Sequence, residues 1–405
     1  MTTTNIQPAI PTAARVHRFT YAIRNVVAEA HRVEAAGKKV RYLNIGDPVA
    51  FGFNTPPHLI EAVNRAMRDG HNTYGPSSGI APAREAVAAE YTRHGFPVSA
   101  DRVFITAGTS EGIELVLNAI VEDDGEVLVP MPTYPLYTAV LAKLGAKTLY
   151  YRLDPANEWM PDLDHLRSLV TPKTRALVVI DPNNPTGAVY PRETRRALID
   201  FAEQHGLLIL ADEVYGDLGF EGSIEPMGLL DPDAAIVSFS SLSKAYLAPG
   251  WRTGWMAVGR SPRLNDLCAA VRKLADGRLC STVPMEYAIA PALEGDRSHQ
   301  TSFRAALKAR ATLTVDSLRT MPGVSCTMPT AAFYAMPQFT LPPGKTDEDF
   351  VLALLRSTGV LCVYGSGFGL PKDAGFLRIV FLAPLEELRD IYSLMAAFTA
   401  QYVQS

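Results

Sequence analysis

From about residue 100 the chain alternates short apolar runs with longer stretches whose apolar positions recur at helical spacing. Runs at 102–106, 126–129, 148–152, 176–181, 207–211, 235–239 and 253–258 have strand length. The intervening stretches, such as 110–120 and 192–205, repeat apolar residues every three or four positions and read as helices. Strands that are apolar throughout, rather than alternating, are covered on both faces. Seven of them separated by helices predict an α/β fold with a mainly parallel, seven-stranded sheet flanked by helices. After about residue 300 the texture changes: a long amphipathic stretch at 303–320, strand-like runs at 324–328 and 332–336, a helix at 347–357, strands at 360–363 and 376–381, and a final helix from Leu385. That pattern predicts a smaller α+β domain. A helix at 23–36 has no sheet of its own and is expected to pack against it.

Composition narrows the function classes. The chain has 405 residues, 47% hydrophobic and 20% charged, enough for a large core and more than one domain. A net charge of −4 lacks the basic excess of a nucleic-acid binder. No apolar run approaches the roughly 20 residues a membrane helix needs, so no membrane partner is expected. Cys268, Cys280, Cys326 and Cys362 are widely spaced with no CxxC pair, which reads as reduced thiols. With no basic segment followed by an apolar one at the start, a cytoplasmic location is expected.

The informative polar residues follow the strands. In parallel α/β sheets, ligands bind beyond the carboxyl ends of strands. One apolar run ends in DPNNPTG from residue 181, the next in ADEVY from 211, and the next in SSLSK, reaching Lys244. Singly these read as a turn, a helix cap and a solvated loop. Together their chemistry converges. A lysine amine condenses with an aldehyde when its pKa is lowered. An aspartate facing a pyridine nitrogen keeps that nitrogen protonated, as an electron sink requires. Asn184 and Tyr215 supply donors for a phenolic oxygen. The expected cofactor is pyridoxal 5'-phosphate on Lys244, and no metal is expected, since no HExxH or similar ligand spacing occurs.

Nearly the whole chain resembles the fold-type-I pyridoxal-phosphate aminotransferases, and within them the alanine aminotransferase-like branch. The resemblance is carried by NIGDPVAFGF near residue 44, TYGPSSG at 73, ITAGTSEG at 105, PTYPLY at 132, DPNNPTGAVY at 181, ADEVY at 211, SLSKAYLAPGWRTGW at 241, RLCSTVP at 278 and FLRIVFL at 376. It implies a large cofactor-binding domain at 49–299 and a small domain formed by both termini, 1–48 and 300–405. It implies Lys244 as the coenzyme lysine and proton shuttle, Asp212 at the pyridine nitrogen, Asn184 and Tyr215 at the ring oxygen, and Tyr134 on the ring face. Gly108, Thr109 and Ser110, with Ser241 and Arg252, form the implied phosphate cradle, where a helix start supplies free N–H groups. Tyr74 is implied to reach the phosphate of a neighbouring subunit, making a homodimer with composite sites. Arg378 is implied to grip the substrate α-carboxylate with its guanidinium fork, with the backbone at Gly46 and the amide of Asn184 beside it.

The implied reaction is ping-pong amino transfer between an L-amino acid and a 2-oxo acid, in this branch alanine and 2-oxoglutarate giving pyruvate and glutamate. A carbon–sulfur β-lyase or eliminating synthase would use the same lysine and aspartate, and a non-catalytic coenzyme-binding regulatory module is a further alternative. Arg278 reads equally as a second substrate contact or a structural ion pair. Phe19, Tyr21 and Gly52 are candidates for the side-chain pocket. Three other motifs fail on context. GPSSG at 75–79 matches a hydrolase elbow but follows a polar stretch, GSGFG at 365–369 lacks the final glycine of a dinucleotide loop, and GKT at 344–346 lacks the first glycine of a P-loop.

Overall fold

The computed structural model describes residues 10–18 and 22–402. Phe19, Tyr21 and the first nine residues lie outside the described residues. The centre is an eight-stranded mixed sheet rather than a seven-stranded one. Its order is Val103–Thr106, Gly254–Val258, Ile236–Ser241, Leu208–Asp212, Thr174–Ile180, Glu126–Met131, Lys147–Asp154 and Met160–Pro161. The additional strand is the two-residue edge piece Met160–Pro161, antiparallel to its neighbour. Two residues ending in proline leave no apolar run to read, and proline is tolerated at an edge because no ladder donor is needed there. Gly254–Val258 also runs antiparallel, to both of its neighbours. The other neighbouring pairs are parallel.

The uniformly apolar strands are explained by cover on both faces. Ile105, Leu128, Leu177, Val179, Ile209 and Ala211 point into one core, which Leu198, Ile199 and Ala202 of helix Arg192–Gln204 share. The alternate residues Phe104, Val127, Val129, Val178, Ile180, Leu210 and Phe239 point into the other. There they meet Ile113 and Val116 of helix Thr109–Ile120 and Tyr137 and Leu141 of helix Pro135–Leu144. Period-two alternation across a sheet buried twice gives this pattern, each enclosed Val, Leu or Ile contributing about 1.5–3 kcal/mol.

Segments before and after the large sheet's strands meet. Helix Ala22–Ala35 buries Val26, Ala30 and Val33, one stripe at helical spacing, and touches helix Asp347–Thr358 and strand Val363–Tyr364. Just beyond it, Arg41–Tyr42 pairs in parallel with Val360–Leu361. The run expected as one strand at 360–363 is thus two short strands serving different partners: Val363–Tyr364 pairs instead with Leu377–Val380. Leu377–Val380 also pairs antiparallel with Tyr334–Ala335. The GPSSG segment lies in a loop ahead of helix Ala81–Arg93, without the strand a hydrolase elbow requires.

Candidate active site

Register brings the strand-end motifs together. Ile180 pairs with Asp212, and Asp212 with Phe239, so two of the parallel strands end level and the third runs two residues farther, to Ser241. Asn184, Asp212, Tyr215, Ser241 and Lys244 leave that edge within a few residues of it and line one cavity of about 440 Å³. Asp212 is the last residue of its strand and is 4% exposed. Its Oδ2 accepts from the buried Tyr137 hydroxyl at 3.1 Å. Burial raises this carboxyl to about 6, against the opposing bonds from Tyr137 and the Val214 N–H and the charge of Lys244. A cation brought close to Asp212 would favour its ionised form.

Lys244 follows the strand Ile236–Ser241 by three residues. Its Nζ donates to the carbonyl of Gly46 at 2.8 Å, linking the large sheet to the loop after Arg41–Tyr42. Enclosure brings this amine down to about 8, with Asp47 opposing the shift and Arg378 and Arg252 adding to it. An amine so perturbed is neutral, and therefore nucleophilic, over a pH range in which an ordinary lysine is not. Ser241, at the strand end, accepts from the Ser243 N–H at 3.2 Å and holds the loop start.

Another part of the lining suits an anion. Helix Thr109–Ile120 begins after Gly108, whose φ of 76° favours glycine. A Cβ on Gly108 would collide with the Arg252 guanidinium, and one on Gly254 would stand 2.8 Å from Thr109 N. Both glycines thus allow Arg252, Thr109 and the helix start to crowd together. Arg252 donates to the carbonyls of Pro249 and Ala107 at 3.1 and 3.3 Å and lines the cavity with Thr109 and Ser110. Behind this loop, Glu111 accepts from Ala107 N at 2.7 Å, and Arg278 pairs with Glu111 at 3.1 Å. Arg278 also donates to the Ile105 carbonyl at 2.8 Å and does not line the cavity. Of its two readings, the ion pair is the one the geometry displays.

Arg378 enters from strand Leu377–Val380 and is 2% exposed. Nη2 donates to the Asn44 carbonyl at 2.8 Å and Nη1 to Asn184 Oδ1 at 3.3 Å. The rings of Tyr334 and Phe368 lie 5.0 and 4.8 Å from the guanidinium carbon. With its Oδ1 accepting from Arg378, Asn184 turns its amide N–H₂ toward other acceptors. The Tyr215 and Tyr334 hydroxyls are 2.7 Å apart. Tyr134, at the start of helix Pro135–Leu144, lines the same cavity.

Tyr74 is placed differently: 81% exposed on the loop after helix Pro57–Arg68, it does not line its own chain's cavity. Gly52 caps a short helical turn outside the cavity lining. Three contributors went unassigned in the sequence. Tyr137 stands in PTYPLY and Asn44 in NIGDP, both quoted motifs in which a neighbour drew the attention. Tyr334 sits in an apolar run where an aromatic reads as core.

The residues present fit pyridoxal phosphate. One cavity lining supplies a carboxylate, an amide and a phenol, an arginine beside helix N–H groups, and a lysine amine. The profile of the family described as aminotransferase class I and II matches residues 38–391. The glutamate-pyruvate aminotransferase AlaA of Haemophilus influenzae is 36% identical over 402 residues, spanning 97% of this chain and 99% of that one. An alanine aminotransferase of Mycobacterium bovis is 36% identical, spanning 98% and 94%. The structure of an alanine aminotransferase from Pyrococcus furiosus superposes with a TM-score of 0.94 at 36% identity, covering 96% of this chain and all of that one. The cavity of strand-end groups around Lys244 is therefore found in a chain that belongs to the aminotransferase class I and II family, whose enzymes work with pyridoxal phosphate.

Proposed function

We propose that this enzyme transfers the amino group of alanine to 2-oxoglutarate in two half-reactions, giving pyruvate and glutamate, with pyridoxal phosphate carried on Lys244. The observation that carries the reading is the Lys244 amine. It is enclosed, lowered to about 8, and set in one cavity with Asp212, Arg252 and Arg378. The names of the relatives above support the choice of alanine and glutamate.

Pyridoxal phosphate supplies an aldehyde that takes up amines and a ring that stores the electron pair left when a Cα–H bond breaks. The chain's own residues supply the rest. Asp212 holds a proton on the ring nitrogen by its charge, and Tyr137 fixes the rotamer of Asp212. Tyr134 covers the ring face. Asn184 and Tyr215 donate to the ring oxygen. Thr109, Ser110, Ser241 and Arg252 neutralise and orient the phosphate, with Gly108 allowing Arg252 its approach. Arg378 fixes the substrate carboxylate, with Asn184 and the Gly46 backbone beside it. Released from the coenzyme, the enclosed Lys244 amine moves a proton at the substrate Cα.

The same reading assigns residues 49–299 to a large domain and 1–48 with 300–405 to a small one, supported by the pairing of Arg41–Tyr42 with Val360–Leu361. It places Tyr74 in the site of a second copy of the chain, supported by its 81% exposure. A cytoplasmic location is supported by the four free cysteines. The test is to incubate the loaded protein with L-alanine in the absence of oxo acid. Transamination yields one pyruvate per site and stops, and 2-oxoglutarate then restores the starting spectrum. Continuous release of ammonia from a cysteine-like substrate would instead favour the β-lyase.

A further inference from the structure

We propose that Tyr334 is a positioning residue for the coenzyme's ring oxygen: its hydroxyl donates to Tyr215 and thereby turns the single Tyr215 proton toward that oxygen. The inference rests on the pyridoxal-phosphate reading of the site. The hydroxyls lie 2.7 Å apart, and the rings meet edge to face with centroids 5.5 Å apart at 85°. The two side chains are 3% and 2% exposed, so this bond is made away from solvent. From the geometry alone either hydroxyl can be the donor. A phenolic oxygen anion placed beside Tyr215 decides the matter. If Tyr215 gave its proton to Tyr334, a lone pair of Tyr215 would face a second acceptor, which is repulsive. If Tyr334 donates, the Tyr215 proton is left for the ring oxygen, and the chained donors polarise one another.

The setting of Tyr334 holds it to this task. Its strand residue pairs with Val380, one strand over from the pair that includes Arg378 and Val363. Its ring stands 5.0 Å from the Arg378 guanidinium on one side. On the other, its hydroxyl lies 2.7 Å from where a Cβ on Gly46 would be. Glycine at position 46 therefore leaves room for the Tyr334 hydroxyl, while the Gly46 carbonyl accepts from Lys244 at 2.8 Å. One hydroxyl thus joins the loop after Leu208–Asp212 to the strand pair that presents the carboxylate-binding arginine. The charged and titratable groups sharing the cavity with the pair are Asp212, Lys244 and Arg252 from the large sheet's side, Tyr134 from the start of its helix, Asp47 from the loop after Arg41–Tyr42, and Arg378. All of them are unchanged in the variant used below.

The test is a pH titration of visible absorbance on coenzyme-loaded protein, comparing the parent, Tyr334→Phe, Tyr215→Phe and the double variant. Phenylalanine keeps the ring between Arg378 and Gly46 and removes only the hydroxyl. A weaker donor at the ring oxygen favours the protonated chromophore. Tyr334→Phe is therefore expected to raise the midpoint by about 0.5–1 pH unit, the scale of one buried hydrogen bond. In the Tyr215→Phe background the same change is expected to move it by less than roughly 0.2 unit, because the relay is already cut. An unmoved midpoint in Tyr334→Phe, or an equal shift in both backgrounds, overturns the proposal while leaving the coenzyme reading intact. A parent protein with no visible band when saturated with the coenzyme overturns that reading itself, and the proposal with it.

Discussion

Replacing Arg378 by lysine keeps the charge and removes the fork, which isolates what the guanidinium geometry contributes. In the structure Nη2 spends one proton on the Asn44 carbonyl at 2.8 Å and Nη1 one on Asn184 at 3.3 Å. The planar fork presents two terminal nitrogens side by side, the geometry that matches a carboxylate as a bidentate pair. Lysine offers a single nitrogen. It loses one of the two charge-assisted bonds and the flat stacking against Tyr334 and Phe368. A charge-assisted hydrogen bond is worth about 1.5–3 kcal/mol, and the ring contacts add a fraction of that when desolvated. A net loss of about 2–3 kcal/mol corresponds to a drop in kcat/KM of roughly 30- to 150-fold. The proposed contact is to a group every substrate shares. The drop should therefore be of similar size for alanine, glutamate, pyruvate and 2-oxoglutarate, measured in each half-reaction by stopped-flow absorbance. A loss confined to one substrate, or a change below about threefold, would refute the assignment of Arg378 to the α-carboxylate.

Other expectations follow from the same geometry. Because Lys244 sits near 8 rather than 10.5, stripped protein holds roughly a few hundred times more neutral amine at pH 7.5 than an ordinary lysine would. The rate of coenzyme capture should rise with pH and level off above about 8; a rise continuing to pH 10 would contradict this. Tyr137→Phe removes the 3.1 Å bond to Asp212 and leaves the ring packing. The measured kcat is expected to fall roughly five- to thirtyfold with KM less affected, and an unchanged kcat would mean Asp212 is held by other means. Glu213 is raised to about 7, chiefly by burial, although Met227 N donates to it at 2.6 Å. The folded state thus binds this proton more tightly than the unfolded chain does. Stability is lost as pH rises from about 4.5 to about 7 and stays lost above. Glu213→Gln should raise Tm more at pH 8 than at pH 5; equal changes at both would count against a burial penalty.

Much of this site was legible because its chemistry is written at strand ends. Asn184, Asp212 and Lys244 each follow an apolar run, and the parallel register that aligns Ile180, Asp212 and Phe239 follows from those runs being buried on both faces. What stayed hidden depends on long-range closure. Tyr215 and Tyr334 are 119 residues apart and meet only because Tyr334 pairs beside the strand of Arg378. No local pattern distinguishes such a tyrosine from a core aromatic. The edge strand Met160–Pro161 was invisible for a simpler reason, having no hydrophobic run to betray it. Arg278 was ambiguous because its partner, Glu111, lies on a different helix, and sequence spacing says nothing of that distance.

All of this depends on one side chain holding the coenzyme, and borohydride reduction followed by peptide mapping asks that question directly. Protein saturated with pyridoxal phosphate, reduced, and digested should carry a stable phosphopyridoxyl group on the peptide containing Lys244, while Lys244→Ala should take up none and lose turnover yet fold normally. A label found on another lysine, or a Lys244→Ala protein that still transaminates at a substantial rate, would contradict the account.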